Sequence, residues 1–271
     1  MTFKVATWNM NHWQRSRLSE EAWQFLDSLG ADISMVQEAV SPPYPSNYVG
    51  QTINDKGRNW GSGIVSRNLA LTPITHARSR HNSSKKDEEY LHRTWPGILS
   101  IVKADLPDNT QLTAISCYGL IDNGYAQTTM HRVIADLIPL FDSRLGKQVI
   151  LAGDINIGTQ QTRDMTARYR HQTILEGIKS LGLVDCFEIT KAHRPPATDC
   201  PCIEAPDCRH VTTHIHNTGS HTQNDYIFVT KNLSRKLKKC YALSEPDRFP
   251  VNEDGKWKLS DHCPVLAEFD L

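Results

Sequence analysis

Residues 149–152 read Val-Ile-Leu-Ala and run directly into Gly153-Asp154-Ile155-Asn156. An extended segment without polar alternation must be covered on both faces, so it belongs inside a layered structure. The rest of the sequence supplies the layers. Short apolar runs at 3–8, 33–37, 63–66, 98–104, 111–118, 226–230, 241–244 and 265–269 read as strands. Helical spacing falls between them. Ser19 is placed to cap a helix, with Glu20 and Glu21 in its first turn. Ala22, Phe25, Leu26 and Leu29 share one face, and Gly30 marks the end. Further helices are expected at 129–145, kinked at Pro139, and at 164–181. This α/β (α+β) pattern predicts two packed sheets covered by helices. No repeat or linker divides the chain, so a single domain over 1–271 is expected.

Composition removes whole classes. The chain has 271 residues, 39% of them hydrophobic, which excludes a disordered chain, a collagen and a coiled coil. Thirty Lys plus Arg balance thirty Asp plus Glu. Bulk positive charge therefore cannot drive binding, although a local basic groove can. No apolar run reaches the length of a membrane-spanning helix, and no membrane partner is expected. Residues 1–9 lack the pattern of a secretion signal, which predicts a cytoplasmic setting. The seven cysteines are an odd number. Cys117, Cys186, Cys240 and Cys263 lie apart, while Cys200, Cys202 and Cys208 cluster. A disulfide framework is not expected in such a setting.

Chemistry gathers where apolar strands end. Asn9 and Asn11 follow the first strand, Gln37-Glu38 the second, and Asp154-x-Asn156 the run at 149–152. Asn224-Asp225 opens a later strand, and Ser260-Asp261-His262 precedes the last. Strand ends at one sheet edge can converge on one pocket. The set suits phosphate-ester hydrolysis, in which a hard cation such as Mg²⁺ or Mn²⁺ offsets the negative charge of the ester. Glu38 and Asp261 are candidate ligands, with Asn9 or Asn11 completing or orienting the shell. Asp154 could orient or deprotonate the attacking water, and Asn156 could donate to phosphoryl oxygens. His262 is the candidate proton-transfer group, with Asp225 placed to fix its tautomer. A lone strand-end Asp or Asn is more often a turn residue. The ordered combination carries the reading.

That order, Thr7-Trp8-Asn9, Gln37-Glu38, Gly153-Asp154-x-Asn156, Asp225-Tyr226 and Ser260-Asp261-His262, resembles the endonuclease/exonuclease/phosphatase superfamily over nearly the whole chain. The resemblance implies a four-layer α/β/β/α sandwich of two packed mixed sheets flanked by helices. It implies a divalent-metal phosphoesterase, with metal at Glu38 and with Asn9 and Asp261 nearby. An Asp225–His262 pair and catalytic roles for Asp154 and Asn156 are implied as well. Tyr118, after Cys117, and the segment Gly182-Leu183-Val184-Asp185-Cys186-Phe187 are similar to the exonuclease III and abasic-site endonuclease branch. There the tyrosine contacts phosphate. The chain departs from that branch in having Asn11 in place of an Asp, Ala39-Val40 after Glu38, and a Cys/His stretch after Phe187.

That stretch is a loop insertion at about 192–224. Cys200, Cys202, Cys208 and His210 could cage a structural Zn²⁺, although their spacing is tight. Arg209, His214 and His216 could meet nucleic-acid phosphates at the rim. Other candidate contacts are the polar loop 78–93, the basic run Lys231, Arg235, Lys236, Lys238 and Lys239, and stacking by Trp60, Trp95 or Trp257. A charge run is more often a solvated face, and a tryptophan a core residue. The expectation is a nuclease acting on DNA rather than RNA by metal-assisted water attack, with no obligate protein partner. An RNA nuclease, or a phosphoesterase acting on an inositol phosphate, a lipid head group or a nucleotide, is the alternative.

Overall fold

A computed structural model describes residues 2–53, 57–78, 89–106, 110–159, 164–196, 207–245 and 247–271. Its strands are β1 (Thr2–Asn9), β2 (Ile33–Ala39), β3 (Asn47–Thr52), β4 (Gly61–Ser66), β5 (Leu71–Pro73), β6 (His76–Ala77), β7 (Glu89–Tyr90), β8 (Leu99–Asp105), β9 (Gln111–Cys117), β10 (Val149–Asp154), β11 (Leu183–Asp185), β12 (His214–Ile215), β13 (His221–Thr222), β14 (Asp225–Thr230), β15 (Leu237–Ala242) and β16 (Val265–Asp270). The helices are α1 (His12–Arg15), α2 (Ser19–Ser28), α3 (Gln127–Phe141), α4 (Met165–Ser180), α5 (Cys186–Ile189) and α6 (Lys231–Ser234). Two six-stranded mixed sheets form, in the orders β15-β16-β1-β2-β4-β3 and β11-β14-β10-β9-β8-β5. Two small ribbons, β6–β7 and β12–β13, stand apart from them.

The uniform apolarity of β10 now has its cause. Ile150 and Ala152 join the core that reaches the first sheet, with Val5, Trp8 and Leu266. Val149 and Leu151 face the other way, into the core with Val133 and Leu137 of α3 and Ile174 and Ile178 of α4. Helix α2 covers the first sheet with Ala22, Trp23 and Leu26. The result is the expected α/β/β/α sandwich.

Pairing direction sets the site edge. β1 runs parallel to β2 and antiparallel to β16, while β10 runs parallel to β9 and antiparallel to β14. The carboxyl ends of β1, β2, β9 and β10 therefore lie with the amino ends of β14 and β16. Asp154 is directly opposite Asp225. A buried polar seam locks the two sheets together there. Gln37 Nε2 donates to Ser116 Oγ at 3.0 Å, Ser116 Oγ donates to the Val36 carbonyl at 2.9 Å, and the Asp154 N–H donates to Gln37 Oε1 at 3.3 Å.

Several sequence expectations shift. Ser19 lies inside α2 rather than capping it, because a 3-10 turn over Ser16–Leu18 precedes it and Leu18 holds the cap position. The helix expected at 129–145 ends at Phe141. Ser143 is extended, and its Oγ accepts from the Leu145 N–H, starting a separate 3-10 turn over Arg144–Lys147. Gly30 does end α2, with φ at 64°. The strand expected at 241–244 begins earlier, at Leu237, and absorbs part of the basic run. Lys238 and Lys239 reach Asp270 and Glu268 of β16 at 3.1 and 3.8 Å, so this part of the run is a solvated sheet face. Trp257 is buried in the core against Phe249. Trp95 packs beneath Arg132.

Asp185 caps α5 by accepting the Phe187 N–H at 2.8 Å, and burial pushes its carboxyl up to about 7. An asparagine keeps the cap without the charge. The penalty is absent below about pH 4, where the carboxyl is neutral folded and unfolded, and is complete above pH 7. Asp185→Asn is therefore expected to raise the melting temperature at pH 8, with the gain vanishing towards pH 4. Thermal melts across that range check it, and an unchanged pH 8 midpoint would refute it.

Candidate active site

At the shared edge a cleft of about 830 Å³ opens, with Glu38, Asp154, Asp261 and His262 in its wall. Three of the side chains that shape it sit on left-handed backbone: Asn11 at φ 46°, Glu38 at 47° and Asn156 at 51°. Such conformations are unfavourable outside glycine and recur where a side chain must be re-aimed. At Glu38 the cause is visible. The β2–β4 register shifts between Val36 and Ala39, a bulge that lets the consecutive residues Gln37 and Glu38 both turn towards the site edge. Gln37 enters the seam, and Glu38 enters the cleft.

Asn9 links two carboxylates. Its Nδ2 donates to Asp154 Oδ2 at 2.9 Å and to Glu38 Oε1 at 3.2 Å, and its Oδ1 accepts the Asn11 N–H at 2.9 Å. Asp154 also accepts from the Asn156 N–H at 2.9 Å and from Asn156 Nδ2 at 3.1 Å. Tyr118 donates its hydroxyl to Glu38 Oε1 at 2.8 Å. His262 Nδ1 lies 2.8 Å from Asp225 Oδ2, and its Nε2 lies 3.8 Å from Asp154 Oδ2. Asn11 Nδ2 donates to Asp261 Oδ1 at 2.7 Å. The last segment is tied to the first strand by Ser260 Oγ donating to the Asn9 carbonyl at 2.7 Å and Trp8 Nε1 donating to the His262 carbonyl at 2.8 Å.

Burial governs the charges. It raises Glu38, although the Tyr118 and Asn9 donors oppose it. It raises Asp154 to about 7, against the pull of His262. Burial alone would lower His262, but Asp225 and Asp154 outweigh it and bring the imidazole to about 10. Asp261 is the opposite case. Burial would raise it, yet His214, His262 and the Asn11 amide bring it down to about 2.

The donor set suits a divalent cation. Glu38 and Asp261 offer hard carboxylate oxygens, as small divalent ions prefer. Among the described residues the buried amide oxygen Asn11 Oδ1 has no hydrogen-bond partner, although the Nδ2 of the same amide binds Asp261. A buried carbonyl oxygen without a donor is costly, and a cation would satisfy it.

All nine sequence-derived catalytic and metal candidates gather here: Asn9, Asn11, Glu38, Tyr118, Asp154, Asn156, Asp225, Asp261 and His262. Of the proposed substrate contacts, His214 and His216 line the cleft. Arg209 does not. It lies with Arg194 and His210 in a separate cavity of about 100 Å³, and its guanidinium donates to the Arg194 carbonyl. Cys200 and Cys202 of the possible zinc set fall outside the described residues, as do positions 79–88 of the polar loop. Cys208 is buried, and His210 Nε2 is 3.5 Å from Thr159 Oγ1. Sequence reasoning missed Trp13, 59% exposed on α1 at the cleft, and Arg58, also in its wall. The placing of Trp13 just after a strand-end Asn-x-Asn was the available signal. Trp60 is buried beside Tyr118 at the cleft wall.

No protein-family model matches the sequence, and no curated protein sequence does. Solved structures do. The endonuclease domain of TRAS1, a telomere-specific non-LTR retrotransposon, matches with a TM-score of 0.65 at 15% identity, covering 100% of this chain and 99% of that one. An AP endonuclease from Archaeoglobus fulgidus matches at 0.57 and 20% identity, covering 99% and 100%. An endonuclease/exonuclease/phosphatase from Beutenbergia cavernae matches at 0.62 and 17% identity, covering 100% and 72%. At these identities the likeness is one of fold, which this chain shares with the two endonucleases and with the endonuclease/exonuclease/phosphatase structure.

Proposed function

We propose that this chain is a divalent-metal-dependent phosphodiesterase, a nuclease that hydrolyses DNA in preference to RNA. The observation that carries the reading is the Asn9-centred array. One amide spans Glu38 and Asp154, and the Asp225–His262 pair faces the same carboxylate across 3.8 Å. The named neighbours, a retrotransposon endonuclease and an AP endonuclease, support a nucleic-acid substrate.

Glu38 and Asp261, with Asn11 and Asn9 beside them, would hold the cation, which when bound offsets the charge of the phosphodiester. The protein does the rest. Three donors fix the Asp154 carboxylate, so it can orient a water and accept its proton at Oδ2. Asp225 accepts from Nδ1–H of His262, which aims Nε2 at the space beside Asp154, where it can donate to a developing phosphoryl charge. Asn156 lines the same cleft, with its Nδ2 donating to the Gly119 carbonyl and to Asp154 Oδ2 at 3.1 Å each. Tyr118 acts on Glu38, by holding its carboxylate through the hydroxyl.

A second reading has one observation in its favour. Among the described residues lining the cleft, Arg58 is the one arginine and there is no lysine. Long duplexes are held by several cationic contacts to phosphates. A short or small phosphoester would need fewer.

The test is incubation of purified protein with labelled single-stranded DNA, duplex DNA, abasic-site duplex and RNA, with Mg²⁺, Mn²⁺ or chelator. Metal-dependent cleavage of DNA above RNA, abolished by chelator, is expected. Cleavage of small phosphodiesters with no polymer cut would move the assignment to the second reading. Hydrolysis that persists in chelator would refute metal dependence.

A further inference from the structure

The hairpin β12–β13 stands outside both main sheets, yet its backbone is fastened to the catalytic segment. The Cys263 N–H donates to the Thr213 carbonyl at 2.9 Å, the Ile215 N–H donates to the Asp261 carbonyl at 2.9 Å, and His214 bridges to His262. His214 is thereby fixed beside Asp261, with its ring 4.4 Å from that of His262. Its Nδ1 lies 2.9 Å from Thr222 Oγ1, and its Nε2 lies 3.8 Å from Asp261 Oδ2.

That 3.8 Å gap is too long for a hydrogen bond, which between charged partners closes to about 2.8 Å. It suits two ligands of one ion. Atoms each about 2.1 Å from a metal stand roughly 3 to 4 Å apart, according to the angle between them. In the tautomer that donates Nδ1–H to Thr222 Oγ1 at 2.9 Å, with Asn224 Nδ2 farther off at 3.5 Å from the same nitrogen, the lone pair of Nε2 faces the gap. This is the outer hydrogen bond that metal-binding imidazoles characteristically make. Asn11 Oδ1, without a hydrogen-bond partner among the described residues, belongs to the amide that holds the other Asp261 oxygen. His214, Asp261 and His262 also form one of the two groups of potential metal ligands found among the described residues.

We propose that His214 Nε2 is an imidazole ligand to the divalent cation held at Asp261, so that the centre is a mixed nitrogen–oxygen site favouring transition metals over Mg²⁺. Imidazole suits first-row transition ions, whereas Mg²⁺ prefers oxygen donors. The inference rests on the metal dependence proposed above and extends it to the identity of the ion.

The experiment uses the full chain loaded with Mn²⁺ and read by electron spin-echo envelope modulation. Coupling to ¹⁴N is expected, changing to the ¹⁵N pattern when the protein is made with [¹⁵N]histidine. His262→Gln should keep the coupling, and His214→Gln should lose it. Calorimetric titration of His214→Gln should show Co²⁺ affinity reduced by about tenfold or more, with Mg²⁺ affinity nearly unchanged. Bound Mn²⁺ with no histidine coupling in the wild type overturns the proposal, and that measurement needs no variant to fold. Coupling lost in His262→Gln but kept in His214→Gln overturns it too. The nuclease reading fails separately, through the absence of cleavage by protein that shows the coupling.

Discussion

Asp154→Asn is expected to lower kcat for phosphodiester hydrolysis by about a thousandfold while leaving the melting temperature within a few degrees of the wild type. The rate loss follows from the loss of a positioned proton acceptor, whose contribution is about 10²–10⁴-fold. The spared stability follows from what the carboxylate costs. It is 1% exposed, and burial raises it to about 7, so removing its charge offsets the disturbance to the Asn9 and Asn156 bonds. Steady-state kinetics on a small phosphodiester, with a parallel melt, tests both halves. A variant that folds normally and retains more than about a tenth of wild-type kcat would remove Asp154 from the proton path.

The second large effect is structural. A Cβ on Gly153 would run into the Cys117 carbonyl, with Gln37 Nε2 next nearest at 3.0 Å. Backbone cannot swing aside as a side-chain tip can. Gly153→Ala must therefore push β10 from β9 in the one place where Gln37, Ser116 and Asp154 join the sheets. Overpacking of this kind costs about 1–3 kcal/mol and sometimes more, and with the seam opened the upper end is expected. Activity should fall with it, since Asp154 is the next residue. Denaturant titration measures the loss. A destabilisation under about 1 kcal/mol would mean that the two strands separate there freely.

The site was legible in the sequence wherever a pure apolar run stopped at a polar residue. Val149 to Ala152 can lie only between layers, so Asp154 had to emerge at a sheet edge, and the same logic found Asn9, Glu38, Asp225 and His262. The aim of the side chains was not legible. Strict alternation would send Gln37 and Glu38 to opposite faces. The bulge and the positive φ at Glu38 put both to use at one edge, and they arise from the pairing with β4, which no local pattern encodes. Asn11 and Asn156 hide their left-handed backbone in the same way. The basic run failed as a guide because its meaning depends on a cross-strand neighbour. Lys238 and Lys239 look available in one dimension, but β16 sets Asp270 and Glu268 beside them. Ser19 misled because a preceding 3-10 turn displaced the helix start by one residue.

Strand β16 lies between β15 and β1, with β1 at the heart of the first sheet. During synthesis β1 emerges more than 250 positions ahead of this partner. Until residues 265–270 clear the ribosome, the first sheet has an open edge along β1, and the Asp261–His262 segment, although it can meet Trp8 and Asn9, lacks the strand that sets its register on β1. Closing so long a loop is a slow, entropically costly step. The cleft, and with it the proposed hydrolysis, is therefore complete only once β16 has paired with β1.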